Sequence, residues 1–139
     1  MTYTSSAPIV RALVQRVRAN AALRASLVGG IHEGFSPEPI ATYPMAIYNP
    51  VALSYEDTWT SREIVALFDV TIYSRDQVQA SNLDQSMLEQ LDGAALTPEG
   101  QTSLICRRVG DIRNADVDEE GLKVYGVGGS YEIWTAQNA

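Results

Sequence analysis

The sequence predicts an α+β domain: an N-terminal helix, then a mostly antiparallel four-stranded sheet made of two hairpins linked by one amphipathic helix packed on it. Three observations carry this. From Glu63 to Tyr73 the residues Ile64, Ala66, Phe68, Val70 and Ile72 recur at period two, one apolar face of a strand. Directly afterwards Ala80, Leu83, Met87, Leu88 and Leu91 recur at spacings of three and four, the stripe of a helix that lies on a core. Apolar runs of strand length flank this unit on both sides, bounded by turn residues.

In chain order, Ser5 and Ser6 precede Pro8 as cap and first-turn proline, and Ile9, Val10, Leu13, Val14 and Val17 then form one helical stripe. Arg11, Gln15 and Arg18 fall on its other side, as a solvated face or a docking face for an acidic neighbour. Asn20 interrupts, and a short second helix follows from Ala21 to Leu27, stopped by Gly29 and Gly30. Ile31 to Phe35 reads as a short extended piece, and Pro37, Pro39 and Pro44 hold the chain irregular until a strand starts at Met45. Pro50 in its continuation marks an edge or a bulge. The polar segment Ser54 to Arg62 reads as the projecting arm of a hairpin. Its aromatics, Tyr55 and Trp59, either fold back on the sheet or meet a partner.

The strand from Glu63 carries Val65, Leu67 and Tyr73 on its second face, too apolar a set for a wetted surface, so another subunit is expected to cover it. Asp76 is placed to cap the helix after it, and Asp92-Gly93 to end it. Ala94 to Gly100 is a connector. Thr102 to Ile112 reads as a third strand, Asn114 to Gly121 as an acidic tip, and Leu122 to Thr135 as a last strand in which Gly126, Gly128 and Gly129 predict a bulge or bend. If the second and third strands are parallel, the helix between them makes a right-handed crossover.

A length of 139 residues fits a single domain, 1–139, with residues 1–8 and 136–139 expected as flexible ends. The 45% hydrophobic and 19% charged fractions are those of a folded globular chain. Net charge is −7 but segregated: residues 1–32 hold Arg11, Arg16, Arg18 and Arg24 with no acid, a start that also has the composition of a transit peptide, while the remaining 6 bases face all 17 acids. Such acidity argues against a duplex-wrapping DNA binder, whose affinity rests on basic groups at phosphates. No stretch has the apolar length of a membrane span.

The inventory of reactive groups points away from an enzyme. A single histidine, His32, and a single cysteine, Cys106, offer no zinc-ligand spacing and no disulfide. Cys106 lies in a strand far from His32 in the chain, as a buried packing residue does. The glycines at 126, 128 and 129 lack the lysine and following helix of a phosphate loop, and Asp116, Asp118, Glu119 and Glu120 lack the ligand spacing of a calcium loop. Of Arg107 and Arg108, alternation turns one to each side, and one is a candidate for an interface ion pair. No catalytic, cofactor-binding or metal-binding residue is assigned.

Across most of the chain a pattern emerges: Leu27-Val28-Gly29-Gly30-Ile31, then Gly34 and Pro37, then Tyr43-Pro44-Met45-Ala46-Ile47-Tyr48. It continues with Phe68-Asp69-Val70-Thr71-Ile72-Tyr73-Ser74, the helix to Leu91-Asp92-Gly93, and Tyr131-Glu132-Ile133-Trp134. This order resembles the tail-terminator, or tail-completion, proteins of long-tailed bacteriophages and related gene-transfer particles, over residues 9–135. The resemblance implies a structural virion protein in the neck of the tail, assembled in the host cytoplasm. It implies a homohexameric ring that caps the head-proximal end of the tail tube, stops its polymerisation and provides the docking surface for the head connector. Partners are then further copies of the chain, the tail-tube protein and a head-side connector or head-closure protein, with DNA passing through the lumen unbound, no cofactor and no membrane. On that reading Val65, Leu67 and Tyr73 are candidate subunit-interface residues, and Tyr55, Trp59 and Arg62 candidate ring-to-ring or partner contacts. Alternatives are a head-closure, connector or tail-tube protein of the same particle, an adaptor that binds through Tyr55 and Trp59, or a small oligomeric α+β enzyme. The last would draw on Tyr48, His32, Glu33 or Arg108 between subunits.

Overall fold

Burial at period two along Ser61–Ser74 decides where every other element lies. Ile64, Ala66, Phe68, Val70 and Ile72 are at most 1% exposed, while Glu63, Val65, Leu67, Asp69 and Tyr73 between them are half-buried. The computed structural model describes residues 7–34, 42–57, 61–96, 102–118 and 120–138. Helix α1 spans Ala7–Ala19 and α2 Ala21–Ser26; strand β1 is Ile31–Glu33, β2 Met45–Asp57 and β3 Ser61–Ser74; α3 is Gln77–Leu91, β4 Thr102–Val117 and β5 Lys123–Asn138. The strands form one sheet in the order β1-β2-β3-β5-β4.

The sheet therefore has five strands, not four, and is mixed. The difference is β1, the short extended piece after the first helices, which pairs parallel with β2 through Ile31↔Ala46, His32↔Ile47 and Glu33↔Tyr48. Three residues are too few for a periodic signal; what makes them a strand is the partner beside them. The two expected hairpins are present, β2 with β3 and β4 with β5, each antiparallel. β5 inserts between β3 and β4, antiparallel to both, so β3 and β4 run parallel without touching.

All three helices share one cluster with the inner face of the sheet. From α1, Ile9, Leu13 and Val17 are at most 1% exposed, each burial worth roughly 1.5–3 kcal/mol. Asn20 ends α1 and caps α2, its Oδ1 accepting from Leu23 N at 2.9 Å. On α3, Asp76 Oδ1 accepts from Val78 N at 2.9 Å, and Ala80, Leu83, Asp84, Met87 and Leu91 are buried. Gly93, at φ 77, then turns the chain so that Gly93 N donates to Cys106 O at 2.7 Å and Cys106 N to Ala94 O at 2.9 Å. Arg16 Nε donates to Gln90 O at 3.1 Å and ties α1 to the end of α3.

Several boundaries differ from the sequence reading, among them the acidic tip expected over Asn114 to Gly121, whose first half is ladder because β4 runs to Val117 and pairs with β5. The polar stretch expected as an arm is largely ladder: β2 runs to Asp57 and β3 starts at Ser61, with Tyr55↔Ile64 and Asp57↔Arg62 paired. Polarity misleads there because a ladder held by main-chain bonds needs no apolar face at its end. β5 runs unbroken through its glycines to Asn138, so residues 136–138 pair with β3, and α1 begins at Ala7. The bulges fall instead on the strands alongside, at Pro50/Ala52 of β2, where proline marks one, and at Ser103/Ile105 and Arg108/Gly110 of β4. The peptide bond Tyr43–Pro44 is cis. No helix among the described residues is long and apolar enough to cross a membrane.

Candidate assembly surface

None of the described helices lies over the second face of the sheet, where alternation and register set side chains in rows. Val65 stands between Ser54 of β2 and Trp134 of β5, and Trp134 is opposite Ile105 of β4. One row therefore carries three half-buried apolar side chains, Val65, Trp134 and Ile105. The next row sets Leu67 between Ala52 and Glu132, with Arg107 beyond Glu132 as a cross-strand opposite charge. Trp134 Nε1 donates to Glu132 Oε1, which ties the indole to the carboxylate beside it. A polar row follows, in which Ser130 Oγ donates to Asp69 Oδ1 at 2.6 Å. A surface that is apolar at the centre of its rows and charged beside them has the make-up of a protein contact.

Tyr73 belongs to this face but to its far end, about 25 Å along the strand from Val65 at roughly 3.3 Å per residue. It lines a groove of about 330 Å³ with Tyr43, Met45, Ile47, Asp116 and Val124. Arg75 closes one side: its guanidinium lies 5.0 Å over the Tyr43 ring and meets Asp118 Oδ2 at 2.6 Å. Burial raises the Tyr43 phenol above its ordinary value, helped by Asp118 and opposed by Arg75. Leu122 N and Arg75 hold the Asp118 carboxyl below its ordinary value.

The structure thus separates the residues singled out in the sequence. Val65 and Leu67 share one apolar block; Tyr73 is in the groove. Tyr55 pairs with Ile64 and so stands on the helix-side register of β2, 39% exposed, away from that block. Arg62 is a ladder residue opposite Asp57 and Gln137, and Trp59 lies outside the described residues. Trp134 and Ile105 complete the block and were not singled out. Their signal is the alternation Tyr131-Glu132-Ile133-Trp134, in which Tyr131 and Ile133 are 0% exposed and Glu132 and Trp134 face the other way.

The groups considered for catalysis do not converge. His32, Glu33 and Tyr48 lie on β1 and β2, Arg108 on β4, at opposite edges of the sheet. His32 Nε2 is 2.6 Å from Gly29 O, and Tyr48 is raised above its ordinary value by burial, then by Glu33. Arg108 turns inward and forms its ion pair inside the chain, to Asp84 of α3 through NH1 at 3.0 Å and NH2 at 2.9 Å. NH2 also reaches Asp111 Oδ1 at 2.9 Å and donates to Gly128 O. Cys106 is 0% exposed and its thiol is pushed up to about 12 by burial, then by Asp92, which leaves it no thiolate at neutral pH. Among the described residues no cluster of His, Cys, Asp and Glu is fit to hold a metal ion.

The model of the family described as "Tail completion protein gp17" matches residues 11–135. Among solved structures, a chain of the "Virion of native gene transfer agent (GTA) particle" has the same fold at a TM-score of 0.72. It is 16% identical, with 96% of this chain and 99% of that chain covered. No curated protein matches by sequence. With the family model matching the chain from within α1 to within β5, the chain belongs to the tail completion protein gp17 family, structural proteins of the phage virion tail and not enzymes.

Proposed function

We propose that the chain is a tail terminator, a ring-forming subunit that caps the head-proximal end of the tail tube in the virion neck. The observation that carries this reading is the helix-free sheet face, where Val65, Leu67, Trp134 and Ile105 form an apolar block in a chain whose helices all share the core on the other side. Such a block is stable in water when another subunit covers it. A tube grows because each ring offers a face that the next ring matches. A ring that fits the last exposed face and turns a different surface outward ends growth, and that surface is then free to receive the head's connector. Six copies around a lumen, assembled in the host cytoplasm, follow from the resemblance. The excess of acids over bases suits a channel through which DNA slides without binding. Tyr73 remains a proposed subunit contact, and Tyr55, Trp59 and Arg62 remain proposed ring-to-ring or partner contacts.

The test is solution mass by light scattering, with and without purified tail tubes. The wild-type chain is expected as a ring, and Leu67→Glu as a folded monomer with an unchanged circular dichroism spectrum. An unfolded Leu67→Glu protein would assign that residue to the domain's own core, and a wild-type chain that stays monomeric even beside tail tubes would overturn the reading.

A further inference from the structure

Two complementary features lie at separate places on the chain. One is a groove of about 140 Å³ on the helix side, floored by Val17, Leu27 and Ile31 and flanked by Arg18 and Arg24. Val28, next in the chain to Leu27, is 68% exposed. The other is the turn between β4 and β5, where Leu122 is 49% exposed and Glu120, two residues before it, is exposed as well. We propose that this turn, in one copy of the chain, docks in the groove between α1, α2 and β1 of the next copy, seating Leu122 between Arg18 and Arg24. The inference rests on the ring-forming reading above and names a contact that joins neighbouring subunits.

Charge selects the occupant. Residues 1–32 hold four arginines and no acid, while the rest of the chain holds all 17 acids, so the complement of the groove is present on every copy. The apolar parts match as well: a small groove over the buried aliphatic side chains of Val17, Leu27 and Ile31 in one place, an exposed leucine in the other. The turn is already in shape. Asp118 Oδ1 accepts from Glu120 N at 3.0 Å and Leu122 N at 2.9 Å, Gly121 takes φ 80, and Arg75 pins the same carboxylate at 2.6 Å. Little freedom is then lost when Leu122 is seated.

Geometry makes the contact intermolecular. The groove opens on the helix side at the β1 edge, whereas Asp116 and Asp118 line the groove on the helix-free side with Met45 and Ile47. Arg75 anchors Asp118 on that side, so a chain's own turn is held away from its own groove. Two different patches that fit each other between copies make a head-to-tail contact, the kind that propagates from subunit to subunit until it closes.

Native mass spectrometry of the full chain tests this. Arg24→Glu and Glu120→Lys, both at exposed positions, are each expected to weaken assembly at least tenfold, and the two together in one chain to restore it. Independently, chains carrying Val28→Cys mixed with chains carrying Leu122→Cys are expected to form mixed disulfide pairs on oxidation, Cys106 being buried and unreactive. If both reversals leave the ring intact and no mixed pairs form, while Leu67→Glu still breaks it, the turn contact is wrong and the sheet-face reading stands. A wild-type chain that never leaves the monomer overturns both.

Discussion

Arg108 is one of a pair that looks interchangeable in sequence, yet only its neighbour Arg107 is left in water. At 10% side-chain exposure Arg108 needs partners, and Asp84 and Asp111 supply them. Removing one partner strands a charge, so Asp84→Ala should cost about 3 kcal/mol in urea denaturation, near the low end for a broken buried pair because Asp111 stays. Arg108→Met combined with Asp84→Leu should recover most of that loss. Asp84 was partly legible, since it falls four residues after Ala80 on the buried stripe; that its partner would be Arg108 was not, because the bulge at Arg108/Gly110 is a property of the paired strands. Asp118 makes a prediction about pH. Its folded pKa is depressed, so its stabilisation of the turn is complete above the ordinary value of 3.8 and is lost as pH falls through the folded value. Hydrogen-exchange protection at Glu120 and Leu122 should fall in that acid range before that of Ile64 or Val70 in the core.

At the scale of elements, the glycines of β5 show what a single sequence conceals. They predicted a break in the strand, and the strand does not break; they are there because other groups lie where their side chains would be. A Cβ on Gly128 would strike the main-chain oxygen of Val70, and one on Gly126 the side chain of Asn114. Backbone cannot move aside and an exposed asparagine can. Gly128→Ala should therefore cost about 2–3 kcal/mol and Gly126→Ala well under 1 kcal/mol, compared by thermal unfolding. The long periodic elements, α1, α3 and β3, were legible because their own side chains carry the pattern. β1 and the outer ends of β2 and β4 were not, because those residues are strands only by virtue of what they pair with. The assembly block was half legible for the same reason: Val65 and Leu67 follow from alternation within one strand, but Trp134 and Ile105 join them only through cross-strand register.

The described residues form a two-layer plate, with helices on one side of the sheet and none on the other. A plate of this kind is unfinished as a monomer, which ties stability to concentration on the proposed reading. Dilution should lower the midpoint of thermal unfolding of the wild-type protein but not that of Leu67→Glu, as scanning calorimetry at two concentrations would reveal. Within a particle, deletion of the protein should give tails of irregular, overgrown length in electron micrographs; detached tails of normal length would point to a head-closure role. The connector between α3 and β4 adds a further consequence. Gly93 and Ala94 take the hydrogen bonds of Cys106, and Asp92 takes Arg108 N at 2.9 Å. On the opposite border, Gly34 N reaches Tyr48 O at 3.0 Å and Pro50 has no N–H to offer. At these positions the margins of the sheet are already occupied or have no donor, which blunts strand addition there. Rim-to-rim pairing of subunits into fibrils is disfavoured at those positions.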